Sequence, residues 1–191
     1  MTTGILLRTA RRGSGLSQRG LATLAGDYQP TISALENGDH DAGVDHLTRL
    51  LAATGHRLVA LPTSSRPVSE AANDVELALT RGDQDAAFRE CIQLSDDLVH
   101  EHGAIRVALT AAPPQLVGEP RYDALIAGIA EHHLRAERLP LPKWITAGDR
   151  RLAEPWFVDD LPEAREAVLA TTPASFSRRG VFLAATELAS V

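Results

Sequence analysis

Between residues 16 and 38, apolar side chains recur every three or four positions in two short runs, Leu21, Leu24 and Ala25, then Ile32 and Leu35, with polar residues between them. That spacing places each run on one face of a short helix. Ser17 precedes the first run as an N-cap, and Gly26 suits the left-handed conformation that ends a helix within one residue. Proline is tolerated only in a helix's first turn, so Pro30 sets the second helix to begin at Tyr28 or Gln29. With Ile32 and Leu35 turned inward, Pro30, Ser33, Ala34 and Asn37 share the opposite face, and Gln29 sits at its N-terminal tip. An ordinary helical hairpin would show the same two-helix signature.

The pattern continues with helical spacing at Val44, Leu47, Leu50 and Leu51, stopped by Gly55. Residues 56–61, His-Arg-Leu-Val-Ala-Leu before Pro62, then read as a short strand. A lone strand needs a partner, either a second copy of itself or a strand from the C-terminal half. Val75, Leu79, Phe88, Ile92, Leu98 and Val99 predict two helices broken near Gly82 and Asp83. Tyr122, Leu125, Ile126, Ile129 and Leu134 predict another after Pro113 and Pro114, and no spacing recurs as a tandem repeat would require. Beyond Pro140 prolines interrupt the chain and aromatics concentrate; residues 163–169 read as a helix and residues 181–183 as a strand. The expected fold is mainly α: a helix-turn-helix bundle with a short dimerising strand, then a mostly helical C-terminal domain with small β elements.

Leu16-Ser17-Gln18, Leu21-Ala22, Ala25-Gly26, Thr31-Ile32-Ser33 and Glu36-Asn37-Gly38 stand in one register. This segment resembles the phage-repressor-like (XRE) family of helix-turn-helix DNA-binding domains. The resemblance implies that Gln18 binds phosphate and that Gln29 reads a base, since glutamine pairs bidentately with adenine. Thr31 and Ser33 would add single hydroxyls, Pro30 and Ala34 would face the bases without hydrogen-bonding groups, and Arg19 and Tyr28 complete the implied contact set. Asn37 and the amides around Gly38 would hold the DNA backbone. Arg11 aligns with an arginine that, in some relatives, forms a buried ion pair with the glutamate that is Glu36 here. In antitoxin-like relatives, a strand placed as residues 56–61 are here pairs across a two-fold axis, implying a homodimer on a palindromic site. Three positions depart from the pattern: Gly20 inside the first helix, Asp27 at a usually apolar turn position, and Tyr28 in place of a capping hydroxyl.

The chain's 191 residues are long enough for two modest domains. The expected division is residues 1–62 for DNA binding, 63–69 as linker and 70–191 as a partner- or effector-binding domain. The first part holds six basic and five acidic residues, leaving thirteen of the 19 basic and twenty of the 25 acidic residues to the remainder. An acidic second domain is poorly suited to DNA. Cys91 is the only cysteine, so an intrachain disulfide or a cysteine-based zinc cluster is excluded. Residues 1–12 lack the apolar core of a signal peptide and no apolar run is long enough to span a membrane, so the expected location is cytoplasmic.

Candidate chemistry beyond DNA binding is sparse. His100-Glu101-His102 and Glu131-His132-His133 are the densest clusters of metal-ligating types, each expected within one helix. Residues one or two apart on a helix diverge too far to share an ion, so only a composite site across helices remains open. No Gly-rich phosphate loop, His-Glu-x-x-His or Gly-x-Ser-x-Gly stands in the sequence, and the expectation is a non-enzyme without cofactor. In the aromatic C-terminal end, Trp144, Trp156, Phe157, Phe176, Arg178 and Arg179 read either as interface anchors for a protein partner or as a small core. The resulting functional expectation is an antitoxin that represses its own operon and neutralises a cognate toxin. The alternative is a free-standing repressor whose C-terminal domain senses a small molecule or drives oligomerisation.

Overall fold

The computed structural model describes residues 3–159 and 162–184. The chain divides into two compact units, Met1–Pro62 and Thr63–Val191. The described residues are mainly helical.

The first unit holds α1 (Thr3–Gly13), α2 (Gln18–Ala25), α3 (Gln29–Asn37) and α4 (Val44–Ala53). Leu7, Leu21, Ile32, Leu35, Leu47, Leu50 and Leu51 meet in its core. Helix α1 is missing from the sequence reading, although Gly4, Leu7, Ala10 and Arg11 follow helical spacing and all face inward. Gly4 lets α1 cross the end of α3 closely: a Cβ there would lie 2.4 Å from the Leu35 carbonyl oxygen. The Ser17 hydroxyl accepts the Gly20 amide, and Gly26 ends α2 at φ 64°. Leu24, expected in the core, is 62 % exposed, and its place is taken by Ala22. Leu21 and Ala22 point together into the core, which turns Leu24 towards solvent. Val44, at the first position of α4, is exposed for a similar reason, because the core meets the helix one turn later at Leu47.

The strand expected over residues 56–61 is not formed. His56 N–H returns to the Leu51 carbonyl at 2.9 Å, and from Arg57 to Leu61 the chain makes no backbone ladder among the described residues. Strand geometry persists only against a partner, and the alternative partner in the C-terminal half is engaged elsewhere. Leu58, Val59 and Leu61 are consequently exposed, Val59 to 68 %.

The second unit opens with α5 (Val68–Thr80) and α6 (Gln84–His100), separated at Gly82 as the sequence predicts, with Asp83 capping α6. The expected linker is partly structural. Val68 and Ser69 are buried in the first turn of α5, Ser65 Oγ donates to Glu101 at 3.0 Å, and Arg66 binds Asp74, Glu90 and Asp97 at 2.8, 2.9 and 3.1 Å. A further helix, α7 (Gly103–Ala111), follows, then α8 (Pro120–Ala136), whose residues from Tyr122 through Glu131 are all buried. Two 3-10 turns (Lys143–Thr146 and Gly148–Arg150), β1 (Trp156–Phe157), α9 (Arg165–Thr171), α10 (Ala174–Ser177) and β2 (Val181–Phe182) follow, and of these the two turns, α10 and β2 pack on α8. Strands β1 and β2 pair in parallel, Trp156 opposite Val181 and Phe157 opposite Phe182. Phe176 presses on α8 at Gly128, where a Cβ would lie 2.5 Å from its ring. Among the described residues no helix is long and apolar enough to cross a membrane.

Candidate nucleic-acid interface

The turn between α2 and α3 places Tyr28, Gln29 and Pro30 at the exposed head of α3, while Ile32, Leu35 and Glu36 bury the other side of the helix. Tyr28 is 79 % exposed. Thr31, Ser33 and Ala34 are half-buried and Asn37 is exposed at the far end. Arg19 is exposed on α2. No side chain caps α3, so amides of its first turn stay open to an anion.

Beneath this edge runs a chain of polar contacts. Arg11 on α1 grips Glu36 through two hydrogen bonds, Nε to Oε1 at 2.6 Å and Nη2 to Oε2 at 2.8 Å, and its Nη1 donates to the Leu16 carbonyl at 2.7 Å. Gln18 Nε2 donates to Glu36 Oε2 at 3.0 Å, and Gln29 Nε2 donates to Gln18 Oε1 at 3.1 Å. Burial alone would raise the Glu36 carboxyl, but the hydrogen bonds from Arg11 and Gln18 outweigh it and hold the group below the usual carboxylate range. Gln29, the candidate base reader, is thus positioned through Gln18 by a buried ion pair.

Two further residues support this edge. Arg8 donates to the Glu36 carbonyl oxygen and, at 3.5 Å, to Asn37 Oδ1, steadying the end of α3. Asp27, the departure at the turn, accepts the Tyr28 amide at 2.8 Å, shares a 2.6 Å hydrogen bond with His46 and lies 3.6 Å from Arg49. Desolvation works against its charge, yet these partners lower its pKa overall. The acidic residue at the turn is accommodated by His46 and Arg49 on α4.

The C-terminal anchor set is split by the structure. Trp144, Phe176 and Arg179 are core residues rather than interface anchors, Arg179 being 1 % exposed. Trp144 Nε1 donates to the Thr110 carbonyl at 2.9 Å, and Arg179 Nη2 donates to Glu131 at 2.5 Å and to the Ile145 carbonyl at 2.6 Å. Arg178 also binds Glu131, at 2.8 Å, with half its side chain exposed. Trp144, Phe176 and Arg179 turn inward because α8 offers an apolar face and, in Glu131, a buried carboxylate for the Arg179 guanidinium. Trp156 and Phe157 remain half-buried at the surface.

Of the two histidine clusters, Glu131-His132-His133 lies within α8 as expected and the other does not share a helix. His100 ends α6, and Glu101 and His102 are extended, so that triplet does not share one helix. His133 is buried against Ser95 Oγ at 2.9 Å; burial, with His132 and Arg106 nearby, lowers it to about 4. Among the described residues no group of three His, Cys, Asp or Glu side chains is placed to hold a metal ion. No protein-family profile, no curated protein and no solved structure matches this chain.

Proposed function

We propose that the chain is a sequence-specific DNA-binding transcriptional regulator, not an enzyme, acting in the cytoplasm as a homodimer. The observation that carries this reading is the exposed head of α3, with Gln29 held by Gln18 above the buried Arg11–Glu36 pair. Entering the major groove, that helix would present Gln29 to a base edge, with Thr31 and Ser33 as weaker readers and Gln18, Arg19 and Asn37 on the phosphates. The unpaired, apolar run from Arg57 to Leu61 would find its strand partner in a second copy, setting the recognition helices about 34–36 Å apart. Selection from a random duplex pool with the full chain should enrich a palindrome with half-sites one helical turn apart. Failure to enrich any sequence would refute the reading. Val59→Pro should then abolish dimerisation; an intact dimer protecting both half-sites would remove residues 57–61 from the interface.

For the second unit we propose an antitoxin role: it neutralises a cognate toxin while the first unit represses the shared operon. Its acidity supports a basic protein partner. The neighbouring gene should be toxic alone, and its product should co-purify with this chain. A free-standing, ligand-sensing repressor is the second reading, favoured by the burial of Trp144, Phe176 and Arg179, which leaves fewer anchors for a protein. A harmless neighbour and a pull-down of homodimer alone would select it.

A further inference from the structure

The second unit carries a surface feature that DNA reading leaves unused. At the starts of α6 and α8, beside β1, lies an open cavity of about 570 Å³ walled by Phe88, Tyr122, Trp156 and Phe157, with Asp85 and Asp159 exposed on its rim. Two adjoining depressions of about 330 and 430 Å³ share wall residues with it, the first through Gln84 and the second through Arg121 and Trp156. Glu119 lies in both of these, so the three depressions adjoin along shared walls at Gln84, Glu119, Arg121 and Trp156 and together make a shallow trough.

The lining charges favour one kind of occupant. Asp85, Glu119, Glu154 and Asp159 are carboxylates, and the lining cation, Arg121, is committed to Glu119 at 3.1 Å. An anion would meet an excess of negative charge and no free guanidinium fork. A cation meets carboxylates beside aromatic rings that already attract guanidinium groups. Tyr122 and Trp156 are tilted at 48° with centroids 5.8 Å apart, and the local rings already hold guanidinium groups of the chain itself. Arg121 lies 5.6 Å from the Trp156 centroid and Arg165 lies 5.0 Å from that of Phe157. A trough of several linked depressions suits an extended chain bearing more than one cation better than a compact molecule.

We infer that this trough is the docking site for an extended, basic segment of a protein partner, with an arginine or lysine seated against Trp156 between Asp85 and Asp159. The inference rests on reading the second unit as partner-binding, and it specifies the surface and the partner's chemistry.

The test uses the full-length chain and synthetic probes: an octa-arginine peptide, arginine amide as the single cation, and an octa-glutamate peptide as control, titrated by calorimetry. Octa-arginine should bind at least about 10-fold more tightly than arginine amide, and octa-glutamate should not bind. Asp85→Asn with Asp159→Asn should weaken octa-arginine about 10-fold or more. Trp156→Leu, which leaves the charge unchanged, should weaken it about 10-fold, and Trp156→Phe should recover most of that loss. Asp39→Asn with Glu76→Gln removes the same charge elsewhere and should change binding by no more than about twofold. Thermal melts establish that each variant is folded. No binding by the wild type, equal binding by the trough and control variants, or equal affinity for arginine amide and peptide would each overturn the inference. The last would point to a small cationic ligand instead. Co-purification with the neighbouring gene product uses the natural partner rather than a peptide, so failure of the trough and failure of the antitoxin role are read separately.

Discussion

The two units bury charge to different ends. In the first, the Arg11–Glu36 pair continues outward through Gln18 to Gln29, so the buried ions set the pose of an exposed side chain. In the second, Glu131 gathers Arg135, Arg178 and Arg179, and Asp123 holds Arg150 at 2.9 Å. The pairs with Arg150, Arg178 and Arg179 fasten the irregular C-terminal end to α8, while Arg135 braces Glu131 from within the helix. A buried ion pair is therefore no mark of function by itself. What distinguishes the first is where its path ends, on Gln29 at the exposed head of α3.

The strongest way to break this contrast is to remove Glu36. Glu36→Ala leaves Arg11 poorly solvated and should destabilise the first unit by about 3–5 kcal/mol, measured by urea unfolding. Arg178→Ala, which removes a half-exposed partner of Glu131, should cost about 1 kcal/mol or less. Comparable losses in the two variants would erase the distinction between an essential pair and a peripheral one.

Proton linkage separates the units next. His133 is lowered to about 4, so the unfolded chain takes up its proton first. Stability from this group is complete above the unfolded value near 6.5 and is lost as pH falls towards 4, by on the order of 3 kcal/mol. Asp123, raised to about 6 by burial, acts in the opposite sense, so the readout is the difference between wild type and His133→Gln. That difference should shrink as pH falls from 6.5 to 4; a pH-independent difference would show that His133 titrates normally. Glu36 and Asp27, both held low, contribute stability to the first unit that is lost only as pH falls below the usual carboxylate range.

A smaller effect tests the packing of the C-terminal end on α8. Gly128→Ala would drive a methyl into the Phe176 ring and should cost about 1–3 kcal/mol in the second unit while leaving DNA binding unchanged. An unchanged unfolding midpoint would mean that Phe176 is not seated on α8.

How much of each unit was legible follows from where its information lies. Ser17, Gly26 and Pro30 fix helix ends through local backbone chemistry, so α2, the turn and the start of α3 follow from sequence. Helix α1 was legible too, but its pattern is built on Gly4 and Arg11, which hydropathy does not count as core. The run at residues 56–61 has strand composition and no strand, because pairing is a property of two segments and composition describes one. Arg179 and Phe176 were left open between interface and core because side-chain type does not reveal that α8 supplies Glu131 and the gap at Gly128. The trough was equally hidden, since Phe88, Tyr122 and Trp156 come from three separated elements.

The central claim is that α3 reads DNA through Gln29, and its most direct test is the ratio of affinities for the selected operator and a scrambled duplex at fixed salt. Gln29→Ala should lower that ratio by about 1–3 kcal/mol, roughly 5- to 150-fold, mainly through weaker operator binding. A ratio equal to that of the wild type would contradict the assignment of α3 as the reading helix.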